Sequence, residues 1–228
     1  MTSVPTDRND RYFALAQKYA VPGPRYTSYP PANRFVEYSQ PDALVQETLH
    51  GSSDLSLYFH IPFCETLCWY CGCHQMITRD KSKADNYLEL LEKEMKLYAK
   101  HIDSNRQVKQ VHLGGGTPNF LSADQIARLN ALVRHFFVLH PEAEIGVELD
   151  PRRLDESQIE AFAQAGFNRA SFGVQDCNPE VQEAIHRIQP EEWNQWTMER
   201  LRAYGFGSVN VDLIYGLPYQ TFERFGRT

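Results

Sequence analysis

The stretch Leu55-Ser-Leu-Tyr-Phe-His-Ile61-Pro-Phe-Cys64-Glu-Thr-Leu-Cys68-Trp-Tyr-Cys71-Gly-Cys73 opens on the alternation of a β-strand and closes on a loop crowded with four of the chain's five cysteines. Outward from it the same rhythm continues. A helix is expected over 83–100, with Ala84, Tyr87, Leu88, Leu91, Met95 and Tyr98 on one face. A strand over 108–113 then runs into Gly114-Gly-Gly-Thr-Pro118. Ser122-Ala-Asp-Gln125 reads as a capping box opening a helix whose apolar stripe is Ile126, Leu129, Val133 and Phe136. The unit repeats as a strand over 144–149, a helix over 155–165 ended by Gly166, a strand over 169–174, helices over 179–186 and 190–204, and a strand over 208–215. Five strands separated by helices predict an α/β fold with a parallel sheet, either open and doubly wound or a barrel. Cys64, Gly115, Glu148, Gln175 and Asp212 fall at or just beyond the C-terminal ends of successive strands. Barrels of βα units place their chemistry there, which favours a partial (β/α) barrel. The pattern stops at Thr228 just as another helix could begin, so the expectation is the first part of such a barrel, truncated at its C-terminus.

Before the first strand the composition changes. A short helix is expected around 11–19, followed by Val21-Pro-Gly-Pro-Arg-Tyr-Thr-Ser-Tyr-Pro-Pro31, whose prolines and glycine forbid regular helix. A second helix is expected over 41–50. The domain reading is an N-terminal arm with short helices over 1–54 and the barrel over 55–228. The whole chain has 228 residues, 42% hydrophobic and 23% charged, which excludes disordered, collagen-like and coiled-coil classes. With 23 Lys+Arg against 29 Asp+Glu the net charge is −6, which disfavours nucleic acid as a partner. No secretory signal opens the sequence, and no apolar run approaches the roughly 20 residues of a bilayer span. The expectation is a cytoplasmic protein. In that reducing setting clustered thiols are ligands rather than disulfides.

Cys64-x-x-x-Cys68-x-x-Cys71 spaces three sulfurs as a tight loop must if it is to present them to one iron–sulfur cubane, leaving one iron open. Zinc is the competing occupant, since Cys68-x-x-Cys71 and Cys71-x-Cys73 together offer four thiolates. Gly115, Gly116 and Thr117 lie where a strand ends and the backbone must pass close to a ligand. A phosphate-binding P-loop fails there, because no Gly-Lys-Ser/Thr follows.

The cysteine loop and Gly114-Gly-Gly-Thr-Pro118 resemble those of the radical S-adenosylmethionine (SAM) superfamily. Within it, three features are similar to the oxygen-independent coproporphyrinogen III dehydrogenases of haem biosynthesis. They are Cys71-Gly-Cys73, the arm Gly23-Pro-Arg-Tyr-Thr-Ser-Tyr-Pro30, and Gly173-Val-Gln-Asp176 followed by Asp212-Leu-Ile-Tyr-Gly-Leu-Pro218. The resemblance covers nearly the whole chain from Tyr19. It implies a [4Fe–4S] cluster on Cys64, Cys68 and Cys71 whose fourth iron chelates SAM. Tyr58, Gly115 and Glu148 would serve that SAM. Tyr70, Gly116, Thr117, Gln175, Arg187 and Asp212 match positions that bind a second one. Cys73 matches a cysteine kept beside the cluster without ligating it. Cys177 reads as a small buried hydrophobe.

Arg25 is a candidate for the substrate itself, because a guanidinium gives bidentate recognition of a propionate; Tyr26 and Tyr29 would close over the site with it. The implied reaction is oxidative decarboxylation of two propionates of coproporphyrinogen III to vinyl groups, giving protoporphyrinogen IX. An unidentified donor reduces the cluster, SAM is cleaved, and the resulting radical takes hydrogen from the propionate β-carbon. Loss of CO₂ and one electron to an acceptor completes the step. A haem chaperone of the same ancestry and another radical SAM enzyme are the alternatives. The resemblance implies a monomer.

Overall fold

The computed structural model describes residues 8–20, 34–37, 39–40, 43, 49–51 and 53–228. Arg25, Tyr26, Tyr29 and most of the helix expected over 41–50 lie outside the described residues. Contacts divide the chain into the units Met1–Asp42 and Ala43–Thr228. In the first, α1 spans Arg8–Tyr19, opening earlier than the expected start at Arg11.

In the second unit the strands are β1 (Leu55–Ile61), β2 (Phe63–Cys64), β3 (Met76–Ile77), β4 (Val108–Gly115), β5 (Leu139–Leu149), β6 (Arg169–Gln175) and β7 (Ser208–Leu213). The helices are α2 (Ser82–Ala99), α3 (Ala123–Phe136), α4 (Glu156–Gln164), α5 (Pro179–Ala184), α6 (Glu191–Ala203) and α7 (Phe222–Arg227). Five strands form one sheet in the order β1-β4-β5-β6-β7, every neighbouring pair parallel. That is the expected partial barrel, with each strand beside the one that follows it through a helix. The ribbon β2/β3 and the final helix α7 were not expected. Two-residue strands and a six-residue helix carry too little periodicity to read.

Parallel sheets flanked by helices on both sides have continuous apolar strands. These strands alternate instead. Phe59 and Ile61, Val111 and Leu113, Ile145 and Val147, and Ala170 and Phe172 are buried in one core with Leu88 and Leu91 of α2, Ile126 and Leu129 of α3, and Ile159 and Phe162 of α4. Their strand neighbours Tyr58, His112, Glu148 and Asp212 are not buried and point to the other face. The sheet therefore has a helix-covered apolar face and a polar face, the inner face of a barrel wall. Helix ends follow local chemistry. The capping box at Ser122 and Gln125 forms as expected, and Asp155 with Gln158 makes a second one that opens α4.

β5 starts earlier than the expected 144. Leu139 pairs with Val108, but the next partner pair is Gln110 with Glu144, so 140–143 bulge out around Pro141, which cannot donate to the ladder.

The glycine run is needed for a reason beyond ligand access. Gly115 has φ +118°, open only to glycine, and a Cβ there would lie 2.8 Å from Ile61 O. At Gly116 a Cβ would lie 2.7 Å from Phe63 O. Gly116 N–H donates to Ile61 O (2.8 Å) and Thr117 N–H to Phe63 O (2.9 Å), so the end of β4 is pressed against the segment that leads into the cysteine loop. Gly116→Ala is expected to cost about 1–3 kcal/mol, since it overpacks backbone against backbone. Gly72→Ala, whose Cβ meets nothing within 4 Å, should change stability by less than about 0.5 kcal/mol. Urea midpoints at unchanged slope would measure both.

Candidate functional site

After β1, Pro62 leads into β2, and β2 pairs in parallel with β3, so the two ends of the loop 65–75 are held side by side. Met76 N–H donates to Pro62 O (2.6 Å) and Thr78 N–H to Cys64 O (2.8 Å). Within the loop Cys71 N–H donates to Cys68 O (3.0 Å). The loop is also docked on the turn after α5. Trp69 N–H donates to Ile185 O (3.0 Å), His186 Nδ1 pairs with Leu67 O (2.7 Å), and the Trp69 and His186 rings stack at 5.3 Å. His186 takes a left-handed φ of 55° to present its ring this way.

Cys64, Cys68, Cys71 and Cys73 line a cavity of about 200 Å³. Its wall is shared by Tyr70, Gly115, Gly116, Thr117, Glu148, Gln175, Arg187 and Asp212. Residues predicted from the ends of five separate strands are thus collected round one space. Gln175 reaches it from a β-bulge with a left-handed φ of 67°, a conformation that costs about 1–3 kcal/mol for a non-glycine residue.

Tyr58 is not in that wall. It pairs with His112 in register and stacks on its ring at 5.9 Å, and its hydroxyl lies 3.1 Å from His60 Nδ1. Its hydroxyl and the Glu148 carboxylate nonetheless approach the same point, within 3.0 Å of where a Gly114 Cβ would stand. Burial, then the charges of Glu148 and Cys73, push the Tyr58 phenol up from its ordinary value. His112 Nε2 lies 3.0 Å from Glu148 Oε1. Cys177 is half-buried, packs against the core and stays out of the cavity wall.

Two residues that decide the electrostatics were not read from the sequence. Asp150 caps the 3₁₀ turn Pro151–Arg153, accepting from Arg152 N–H, and its carboxylate is gripped bidentately by the same residue. Arg152 Nε lies 2.9 Å from Oδ1 and Nη2 lies 2.6 Å from Oδ2. Arg187 Nη2 approaches Asp150 Oδ1 from the other side at 3.5 Å and donates to Gly173 O at 2.8 Å. Both guanidiniums then touch one sulfur, Arg152 Nη2 at 3.3 Å and Arg187 Nη1 at 3.6 Å from Cys68 Sγ. Burial works against the Asp150 charge, but the hydrogen bonds from Arg152 and the two positive charges outweigh it and hold the carboxyl below the usual range. The Cys64 thiol goes the other way, pushed up to about 12 by burial first and then by the Asp150 charge. Asn119, fully buried, ties the arrangement to the glycine run. It accepts from Thr117 Oγ1 (2.6 Å) and Asp150 N–H (2.8 Å) and donates to Asp150 O (3.0 Å).

A tetrahedral zinc ion needs its sulfurs about 2.3 Å from a single point. Among the described residues no three Cys, His, Asp or Glu side chains gather in that way. The thiols instead border a cavity beside two cations, an arrangement that suits a polynuclear group bearing thiolate charge.

Against known proteins, the model of the Radical SAM superfamily matches residues 58–228. The oxygen-independent coproporphyrinogen III oxidase of Salmonella typhimurium is 47% identical over 216 residues, 94% of this chain and 47% of that protein. Its namesake from Synechocystis is 44% identical over 217 residues, again 94% of this chain and 47% of the relative. The solved structure of coproporphyrinogen III oxidase from Escherichia coli, described as a radical SAM enzyme, superposes with a TM-score of 0.86 at 45% identity, covering 95% of this chain and 48% of that one. The chain thus spans about half the length of the relatives it matches. No helix among the described residues is long and apolar enough to cross a membrane.

Removing one member of a buried ionic group leaves the others uncompensated. Asp150→Ala is expected to lower stability by about 3–5 kcal/mol by this route. Asp212→Ala, on the exposed strand β7, is expected to move it by less than about 0.5 kcal/mol. Urea unfolding of the two variants at one pH checks the contrast.

Proposed function

The chain belongs to the radical SAM superfamily, and on that premise we propose that it is an oxygen-independent coproporphyrinogen III dehydrogenase, turning two propionates of coproporphyrinogen III into the vinyl groups of protoporphyrinogen IX. The family implies a [4Fe–4S] cluster and SAM. The observation that carries the proposal is the meeting of Cys64, Cys68 and Cys71 with the glycine run, Glu148 and Arg187 round one cavity at the C-terminal ends of parallel strands.

In this reading Cys64, Cys68 and Cys71 hold the cluster as thiolates and leave one iron for SAM. When bound, cluster and SAM supply a one-electron, hydrogen-abstracting chemistry that no side chain possesses. The protein's part is binding, orientation and exclusion of water. Glu148, steadied by His112 on one oxygen, accepts hydrogen bonds from an ammonium or ribose hydroxyl, with Tyr58 and Gly115 beside it. Tyr70, Gly116, Thr117, Gln175, Arg187 and Asp212 hold a second SAM. Two details support roles there. Thr117 has committed its proton to Asn119, so its oxygen is left to accept. Arg187 Nε is buried and finds no partner among the described residues, which leaves a donor for a carboxylate. Cys73, exposed at the rim of the cavity, borders the substrate side. Arg25, with Tyr26 and Tyr29, grips a substrate propionate. A monomer in the reducing cytosol, served by an external electron donor and acceptor, completes the proposal.

The test is anaerobic reconstitution of the full gene product with iron and sulfide, followed by incubation with SAM, dithionite and coproporphyrinogen III. Substrate-dependent 5′-deoxyadenosine and protoporphyrinogen IX are expected, both lost in Cys68→Ser. Formation of 5′-deoxyadenosine with unchanged porphyrinogen would overturn the substrate and point to haem binding as the next assay.

A further inference from the structure

We propose that Arg152, clamped by Asp150, sets the reduction potential of the iron–sulfur cluster through its contact with the sulfur of Cys68. The inference rests on the reading of Cys64, Cys68 and Cys71 as the cluster's ligands and adds to it a residue that acts through one of them.

The Asp150–Arg152 pair is complete without Cys68. Its partners stand two positions apart in a 3₁₀ turn, and the carboxylate already occupies Nε and one proton of Nη2. The guanidinium nevertheless turns Nη2 to within 3.3 Å of a sulfur 84 positions away in sequence. Cys68 is the most buried of the four loop cysteines, and the Arg152 side chain is only 11% exposed, so water screens this contact weakly. Arg187 adds a second, longer approach to the same atom. Two guanidiniums against one carboxylate leave a net positive charge beside Cys68, while at Cys64 the Asp150 charge raises the thiol's pKa more than the Arg152 charge lowers it. The loop's sulfurs therefore stand in unequal fields.

Reduction moves one electron from an external low-potential donor onto the cluster, and no bond of the protein forms or breaks. The added negative charge spreads onto the thiolates. An N–H donor and a cation at one of those sulfurs stabilise the reduced state more than the oxidised one and raise the potential. Arg152 thereby makes the electron easier to deliver and the reduced cluster a milder reductant. It is a positioning and tuning residue, acting on the cluster through the Cys68 sulfur at the wall of the same cavity.

The experiment is a potentiometric titration of the reconstituted full gene product with dithionite, reading the reduced cluster by electron paramagnetic resonance. Arg152→Met is expected to shift the midpoint to more negative potential, and Arg152→Lys, which restores charge without the planar fork, to recover part of the shift. Arg153→Met removes a like charge one residue on, from a side chain that is 47% exposed and directed at Glu65, and is expected to shift the midpoint far less. If Arg152→Met does not fold or load iron, Arg152→Gln decides, because it is neutral yet keeps N–H donors for Asp150. A midpoint in the neutral variant equal to wild type, or moved no further than in Arg153→Met, overturns the inference. Failure of the wild-type protein to assemble any cluster overturns the reading of the cysteines instead.

Discussion

One carboxylate held between two guanidiniums, all three largely withdrawn from water, organises the functional end of this sheet. Isolated, any of these charges would be costly to bury. Together they satisfy one another, and the surplus positive charge falls on a sulfur of the cysteine loop. Through Asn119 the same group is tied to Thr117, and through Gly173 O to the strand that carries Gln175. The loop, the glycine run and the bulged end of β6 are therefore set relative to each other by polar contacts, while the apolar core behind the sheet fixes only the strands. That division suits a site whose occupants are charged. Packing gives the scaffold its shape, and a small ionic lattice gives the pocket its sign.

Much of this was legible in the sequence because it is local. The period of two in Leu55–Ile61, the stripe Ile126-Leu129-Val133 and the capping box at Ser122 each need only a short window. The strand ends they predict are where the cavity lies. The cysteine spacing and the glycine run are likewise short-range signals, and twelve of the fourteen residues singled out for cofactor, metal or catalytic roles line one space. Tyr58 stands outside that wall but over Gly114, facing Glu148. Arg25 belongs to a segment about which the structure says nothing.

What escaped the reading is long-range or very short. Asp150 and Arg152 follow Glu148 just past the end of a predicted strand, yet only the fold reveals that they pair and that Arg152 meets Cys68. A charged pair two residues apart after a predicted strand was the available clue, and it looks the same as any surface pair. The glycines were assigned to ligand approach, whereas Gly115 and Gly116 are also required by the backbone at Ile61 and Phe63. The early start of β5 was hidden by Pro141, since a proline inside a strand pattern argues against the strand until a bulge accommodates it.

The β2/β3 ribbon also bears on how the molecule is assembled in time. It closes the cysteine loop using residues close in sequence, so the loop can form at little entropic cost once β1 is in place. Its ionic support is the opposite: Cys68 meets Arg152 across 84 positions and Arg187 across 119. Contacts of such high sequence separation are reached late on a folding pathway. The thiols are thus brought near one another early, but the charged floor beneath them is laid only when β5, β6 and the turn after α5 have docked.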